Sequence, residues 1–110
     1  MKLREVQLLA EAVDDLERGR SFYDAQETGV GEYFIESVLG DLSSLRLHAG
    51  IHRRVYGFFR LLCLRFPFAA YYDIAATGVR VVAILDMRSN PTWIRKSLTK
   101  RRKSSPKTKR

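Results

Sequence analysis

The segment from Arg65 to Pro91 constrains the fold of this chain more than any other stretch. It contains two runs of β-branched and aromatic residues, separated by the sequence AATG at residues 75–78. Such runs around a short turn with a glycine predict a β-hairpin. If the turn centres between the second alanine and the threonine, Asp73 lies opposite Arg80. This pairing of opposite charges supports that register.

The register also sorts the side chains of the hairpin into two faces, because successive residues of a strand point to opposite sides. The face that we predict to be the core consists of Phe68, Ala70, Tyr72, Ile74, Val79, Val81, Ala83, Leu85 and Met87. The other face is apolar at its centre and charged toward its ends, and it consists of Tyr71, Asp73, Arg80, Val82, Ile84, Asp86 and Arg88. We predict that this second face is a functional surface.

The length of 110 residues and the hydrophobic content of 45% predict one globular domain. No apolar run approaches the ~20 residues that span a bilayer, and charges interrupt the N-terminal apolar stretch. We therefore expect a cytoplasmic protein with no membrane partner. The single cysteine, Cys63, has no second cysteine for a disulfide and is expected to be a buried strand residue.

The formal net charge of +8 is concentrated at the C-terminal end. Residues 95–110 contain nine of the 20 Lys and Arg residues and no acid. We predict that the folded domain covers residues 1–98, with Trp93 and Leu98 folded back on the sheet. Residues 99–110 are then a basic, disordered tail whose removal leaves the fold intact. The tail residues predicted to contact nucleic-acid phosphates are Lys100, Arg101, Arg102 and Lys103.

Upstream of the hairpin the periodicity changes from strand to helix and back. Residues 3–9 alternate as a short strand, and from Ala10 apolar residues recur every three or four positions, as in an amphipathic helix. Gly29 and Gly31 precede a second such helix, which predicts a helical hairpin. A further strand is expected to begin near Tyr56. The predicted fold is α+β in the order β-α-α-β-β-β, with the N-terminal strand and the helical hairpin packed on a small antiparallel, twisted sheet.

His48 and His52 are four residues apart and could lie on one face of a helix. No acid or cysteine accompanies them, and zinc sites need three or four protein ligands. We therefore predict no metal site and no cofactor.

Three blocks of the sequence resemble the RelE/ParE superfamily of bacterial toxins, in particular its ParE-like, plasmid stabilisation branch. The blocks are FYDAQETGVGEYF at 22–34, RFPFAAYY at 65–72 and VRVVAILDMRSNPTW at 79–93. They are similar to the family's joint between two helices, its Arg-Phe-Pro-Tyr strand entrance and its last strand. The third block departs from the family pattern, because Asp86, Ser89 and Asn90 stand where histidine, arginine and aspartate are common.

The resemblance implies a toxin of a type II toxin–antitoxin system, which inhibits growth until a cognate antitoxin binds it. ParE-like members are implied to poison DNA gyrase without catalytic residues. RelE-like members are implied to cleave messenger RNA on the ribosome, often with a C-terminal tyrosine. Because no tyrosine follows Arg88, we expect gyrase poisoning. The alternatives are ribosome-dependent cleavage of mRNA and a non-toxic, basic RNA-binding module.

RNA cleavage without a metal would need cations, a general base and a general acid. The candidate catalytic residues are Arg65, Arg88, Asp86 and His52. The candidate target-binding residues are Arg60, Arg65, Arg88 and Trp93. Asp86 would repel a phosphate unless it pairs with Arg88. Arg80 is expected to pair with Asp73, whereas Arg88 at the end of the last strand is better placed for function.

Overall fold

The computed structural model describes residues 3–104, and their side chains as far as residue 102. In chain order the elements are strand β1 (Val6–Leu8), helices α1 (Ala10–Gln26), α2 (Val30–Ser43) and α3 (Leu45–His48), strands β2 (Arg54–Val55), β3 (Phe58–Leu62), β4 (Phe68–Ala75) and β5 (Gly78–Asp86), and helix α4 (Pro91–Ser104). The predicted α+β class is confirmed, and α3, β2 and a long α4 are added to the predicted order. Within the described range, no helix has both the length and the apolar character of a membrane span.

The five strands form one sheet in the order β1-β5-β4-β3-β2. β1 runs parallel to β5, whereas the other neighbouring strands are antiparallel. The prediction of an antiparallel sheet is therefore wrong at one edge, and the sheet is mixed. The helices and the other three strands, and not a tight turn, connect β1 to β5, and a long connection of this kind is what a parallel pair requires.

The central hairpin, formed by β4 and β5, keeps the predicted register only near its turn. Asp73 pairs with Arg80 as expected. Between Tyr72 and Tyr71 the register shifts by one residue, so that Tyr71 lies opposite Ala83. Such a bulge sets two residues of one strand against one residue of its partner. The extra residue is Val82, so the faces reverse along β5 beyond it, whereas β4 keeps its predicted faces.

This reversal changes both predicted faces of the sheet. Ile84, predicted for the functional surface, is buried in the core beneath α1 and α2. Ala83 and Leu85, predicted for that core, lie on the opposite face. Ile94 and Leu98 of α4 cover this opposite face, so the prediction of an open functional surface there is wrong over its centre.

α1 and α2 pack on the core face of the sheet, and glycine residues allow both the connection between these helices and their close contact. Gly29 has a φ of 96°, in the left-handed region that favours glycine. Asp24 Oδ1 accepts hydrogen bonds from the N–H groups of Gly29 and Gly31 at 3.0 and 3.1 Å.

A Cβ atom at Gly19 would lie 2.5 Å from Phe34 Cε2, so the buried Phe34 ring packs on the backbone of α1. Its ring centroid also lies 4.9 to 5.2 Å from those of Tyr23, Phe66 and Phe68.

Tyr56 and Gly57 form the turn between β2 and β3, where a strand was predicted to begin. Their φ angles are 54° and 88°, and a type I′ hairpin turn has positive φ at both central residues. β3 therefore begins at Phe58. Cys63, expected inside a strand, follows β3 and is partly buried. Burial raises the pKa of its thiol to about 12, which keeps the thiol protonated at neutral pH.

α4 begins at a well-capped end and continues past the predicted start of the tail. Asn90 Oδ1 accepts the N–H of Thr92 at 2.7 Å, and Pro91 occupies the first helical position. The prediction of a disordered tail is wrong for residues 99–104, because α4 runs to Ser104. Residues 105–110 lie outside the described part of the chain.

Candidate functional site

A buried ion pair joins α1, β5 and α4. The Asp15 carboxylate is 2% exposed and accepts hydrogen bonds from Arg101 at 2.6 and 3.0 Å and from Arg18 at 2.7 Å. Asp15 Oδ2 also accepts the N–H of Ile84 at 2.9 Å. Arg101 donates to the Val82 carbonyl at 3.1 Å. The pair thus satisfies two backbone groups on the same edge of β5.

The ion pair lies along the edge of β5 with which a longer β1 would have paired. β1 pairs with Val79–Val81, and within residues 3–104 no strand pairs with the rest of β5 on that edge. A buried backbone group without a partner costs about 1 to 3 kcal/mol. Asp15 and Arg101 supply the acceptor and the donor that prevent this cost. Arg101 was predicted to lie in a solvated tail, and that placement is wrong because it is bound to Asp15.

Beside the ion pair, a groove of about 190 Å³ opens between α1 and α4. The buried side chains of Phe68, Ile84 and Leu85 contribute to its lining. Phe22 of α1 is 52% exposed and Trp93 of α4 is 50% exposed, and both rings also line it. The groove therefore combines a buried apolar base with two half-exposed aromatic rings.

Asp86 lines this groove at the end of β5, and Arg88 is bound to it. Arg88 donates to the Asp86 carboxylate from Nε at 3.0 Å and from Nη2 at 2.8 Å, and its backbone N–H donates at 2.8 Å. Arg88 Nη2 also lies 3.4 Å from Tyr23 Oη. The hydrogen bonds between the two side chains lower the pKa of Asp86 and raise the pKa of Arg88, so both are charged at neutral pH. The pairing that offsets the charge of Asp86 is therefore present in the structure.

His52 lies away from this groove. Its Nδ1 is hydrogen-bonded to the hydroxyl of Tyr72, a core residue whose hydroxyl also accepts the N–H of Gly50 at 2.9 Å. Burial lowers the pKa of His52. Asp86 pairs with Phe68, which is about 13 Å along β4 from Tyr72 at the usual rise per strand residue. The structure therefore does not bring His52 and Asp86 together.

The remaining predicted arginines occupy separate surfaces. Arg60 pairs with Tyr71 in the sheet, on the face that α4 covers, and its buried Nε has no hydrogen-bond partner within the described range. Arg65 is exposed in the β3–β4 loop. In the same loop the Pro67 carbonyl accepts the N–H of Met87 at 2.7 Å, which places this loop at the groove end of β5.

The basic residues assigned to the tail lie mainly on α4. Lys100 is exposed on this helix, and the Arg102 guanidinium packs over Gly57 in the β2–β3 turn. The side chain of Lys103 lies outside the described side chains. Across residues 3–104, no three side chains of His, Cys, Asp or Glu are arranged as metal ligands.

The sequence interpretation missed the contribution of α1 to the groove. Phe22 and Arg18 both line it, and Tyr23 contacts Arg88. One signal was present in the helical pattern: Phe22 falls outside the buried stripe of Ala12, Leu16 and Gly19. A large aromatic side chain off the buried stripe of a helix indicates a candidate contact surface.

The fold of this chain is similar to that of a chain in the structure described as the chromosomal ParDE TA system from P. aeruginosa. The TM-score is 0.72 at 18% sequence identity, and the match covers 78% of this chain and 98% of that chain. No family model matches the sequence, and no curated protein matches it. The structural likeness at such low identity establishes the RelE/ParE-like fold.

Proposed function

We propose that this chain is the toxin of a type II toxin–antitoxin system, that it inhibits growth by binding DNA gyrase, and that a cognate antitoxin neutralises it. The observation that carries the proposal is the fold, which matches 98% of the length of a chain from the P. aeruginosa ParDE system. The three blocks that resemble ParE-like proteins support it. They form the α1–α2 joint, the entrance to β4, and β5 with the start of α4.

The groups at the groove favour binding over acid–base catalysis. RNA cleavage needs one group that accepts a proton and another that donates one. Arg88 holds Asp86 in its ionised form, and His52 is bonded to Tyr72 away from the groove. The groove offers aromatic rings and exposed guanidinium groups instead, and these are common anchors of protein–protein interfaces.

One observation favours the alternative, which is ribosome-dependent cleavage of mRNA. Arg60 carries a buried Nε with no partner in the described part of the chain, and it lies against Tyr71. Burial raises the pKa of Tyr71, and the nearby Arg60 opposes this shift. A guanidinium beside a phenol could stabilise a phosphate and transfer a proton. We place this function second because Ile94 and Leu98 of α4 cover that face.

The two functions give opposite results with purified protein. If the proposal is right, double-strand breaks accumulate when the chain is added to supercoiled DNA with gyrase and ATP, while translating ribosomes leave their messages intact. Both measurements are gel assays, and omitting gyrase is the control for the first. Cleavage of mRNA in the ribosomal A site, without gyrase-dependent breaks, would overturn the proposal in favour of the endoribonuclease.

Arg88→Ala should reduce growth inhibition by roughly tenfold or more in inducer dose, and Arg80→Ala should change it little. Arg88 is exposed beside the groove, whereas the Arg80 side chain is bound to Asp73 by hydrogen bonds of 2.9 and 2.8 Å. Growth after induction is the readout, and thermal melts verify that both variants fold. Full toxicity of Arg88→Ala would remove Arg88 from the target-binding surface.

A further inference from the structure

Helix α4 concentrates positive charge on the side that faces away from the sheet. It contains six Lys and Arg residues and no acid. Ile94 and Leu98 are buried against the sheet, and the charge of Arg101 is neutralised by Asp15. The other basic side chains that the structure describes on this helix are all exposed, and they are Arg95, Lys96, Lys100 and Arg102. Packing of the apolar stripe therefore leaves four cations on the outside of α4.

The turn between β2 and β3 extends this charge beyond the helix. The Arg102 guanidinium packs over Gly57, and Arg54 Nη2 donates to the Gly57 carbonyl at 3.1 Å. The guanidinium carbon of Arg54 also lies 4.7 Å from the centroid of the Phe59 ring, which is a cation–π contact. These contacts fix two guanidinium groups beside one turn. We call the following residues the basic surface: Arg54, Arg95, Lys96, Lys100 and Arg102.

The sheet separates the basic surface from most of the acids. α1 contains five acids and α2 contains three, which together are eight of the 12 in the chain. Both helices pack on the face of the sheet opposite to α4. Glu11 and Asp15 of α1 approach α4, but they face Arg101, which is not part of the basic surface. Such a separation of charge orients a domain toward a polyanion and raises the rate of encounter.

The spacing of the charges on α4 suits the phosphates of a double helix. Lys96 and Lys100 lie one helical turn apart, which is about 6 Å along the helix axis. The 14 residues of α4 span about 21 Å, and a DNA duplex carries about one phosphate per 1.7 Å of its axis. Several phosphates therefore lie within reach of the basic surface at once.

Two other polyanions fit this surface less well. Proteins that bind single strands stack the bases on aromatic side chains, and α4 has one aromatic residue, Trp93, in its first turn. A helix that lies on an anionic membrane needs an exposed apolar face. The apolar stripe of α4, Ile94 and Leu98, is buried on the sheet instead.

We propose that the basic surface binds the phosphate backbone of double-stranded DNA without reading the base sequence. Lys and Arg contacts with phosphates supply this kind of binding. The proposal differs from the sequence-based expectation of a basic tail, because Arg101 is bound to Asp15 and because Arg54, Arg95 and Lys96 are added. It does not depend on the inhibition of gyrase.

The test is fluorescence anisotropy with the full chain, a labelled duplex of arbitrary sequence and no gyrase. A duplex of about 20 base pairs should bind with a Kd on the order of 1 to 100 μM at about 100 mM KCl. The logarithm of the binding constant should fall linearly with the logarithm of the salt concentration. The unlabelled single strand and vesicles that contain phosphatidylserine should both compete more weakly than the unlabelled duplex.

A pair of double variants separates the basic surface from the net charge of the chain. Lys96→Ala with Lys100→Ala should weaken duplex binding by roughly tenfold or more and reduce the salt slope by about 2, because two phosphate contacts are lost. Arg20→Ala with Arg46→Ala is the matched control, since it changes the net charge equally on α1 and α3, which lie on the other side of the sheet. The control should keep the salt slope and change the Kd by less than about twofold, because salt screens distant charges. Thermal melts verify that both variants are folded.

Four results would overturn the inference. They are no duplex binding up to about 1 mM protein, an unchanged salt slope in folded Lys96→Ala with Lys100→Ala, an equal loss in the control, and tighter binding of the single strand or the vesicles than of the duplex. A failed gyrase assay with intact duplex binding would overturn the proposed function alone. Gyrase-dependent breaks without duplex binding by the isolated chain would overturn this inference alone.

Discussion

Arg101→Ala lowers the free energy of unfolding by about 3 to 5 kcal/mol, as expected when one partner of a buried ion pair is removed. The substitution leaves the buried Asp15 carboxylate without its bidentate partner, and it removes the donor to the Val82 carbonyl. Arg18 still contacts Asp15, but such a solvent-exposed partner compensates little. Urea unfolding followed by circular dichroism measures the loss.

The matched control is Arg95→Ala, an exposed position on the same helix, which should change stability by less than about 0.5 kcal/mol. The double variant Asp15→Ala with Arg101→Ala should lose less than the sum of the two single variants. It should still be destabilised, because the Ile84 N–H and the Val82 carbonyl both lose partners.

Removal of residues 99–110 should reduce the free energy of unfolding about as much as Arg101→Ala does, contrary to the sequence-based expectation. Native stability of Arg101→Ala would show that the ion pair does not hold α4.

Phe34→Ala lowers the free energy of unfolding by about 3 to 5 kcal/mol, the usual range for removing a buried phenylalanine ring. The ring is fully buried where α1, α2 and the sheet meet, so its loss opens a cavity among Tyr23, Phe66 and Phe68. Leu39→Ala, at an exposed position of the same helix, is the control and should cost less than about 1 kcal/mol. Thermal and urea unfolding provide the measurement.

The contact between Gly19 and Phe34 allows a second test of how α1 and α2 pack. Gly19→Ala alone should destabilise the domain, since its Cβ would lie 2.5 Å from Phe34 Cε2 and overpacking typically costs about 1 to 3 kcal/mol. Combined with Phe34→Ala, the same substitution should be stabilising, because alanine is the better helix former and the ring is gone. Additive effects of the two substitutions would show that α1 and α2 do not approach through this pair.

The sequence predicted the register of the central hairpin correctly near its turn, where a charged pair marks it. It could not predict which residues face which layer in the other half, because both faces of β5 are buried there. Asp73 and Arg80 fix the register near the turn by opposite charge. Farther along β5, residues 81–85 are all apolar, so alternation carries no information about which side chain faces which layer. The sequence pattern therefore does not reveal the bulge, and it could not predict on which face of the sheet Ile84 lies.

The ion pair and the groove depend on contacts between distant parts of the chain. A run of basic residues such as 100–103 has the same composition in a solvated tail and at the end of a packed helix. Asp15, which lies 86 positions before Arg101, decides between these two outcomes. Likewise, Phe22 and Trp93 form one groove only because α1 and α4 flank the same end of β5. Two ion pairs of the site lie close in sequence, Asp15 with Arg18 and Asp86 with Arg88. The sequence analysis considered only the second of them.

The separation of Asp15 from Arg101 also governs the order in which the polypeptide can fold as it is synthesised. β1, α1 and α2 are made first, and the apolar faces around Leu16 and Phe34 have no sheet to cover them until β4 and β5 follow. Long-range contacts of this kind slow folding, because the entropy of closing the chain is lost before the contacts stabilise it. The nascent chain therefore acquires the native surface around this ion pair only after α4 has been translated.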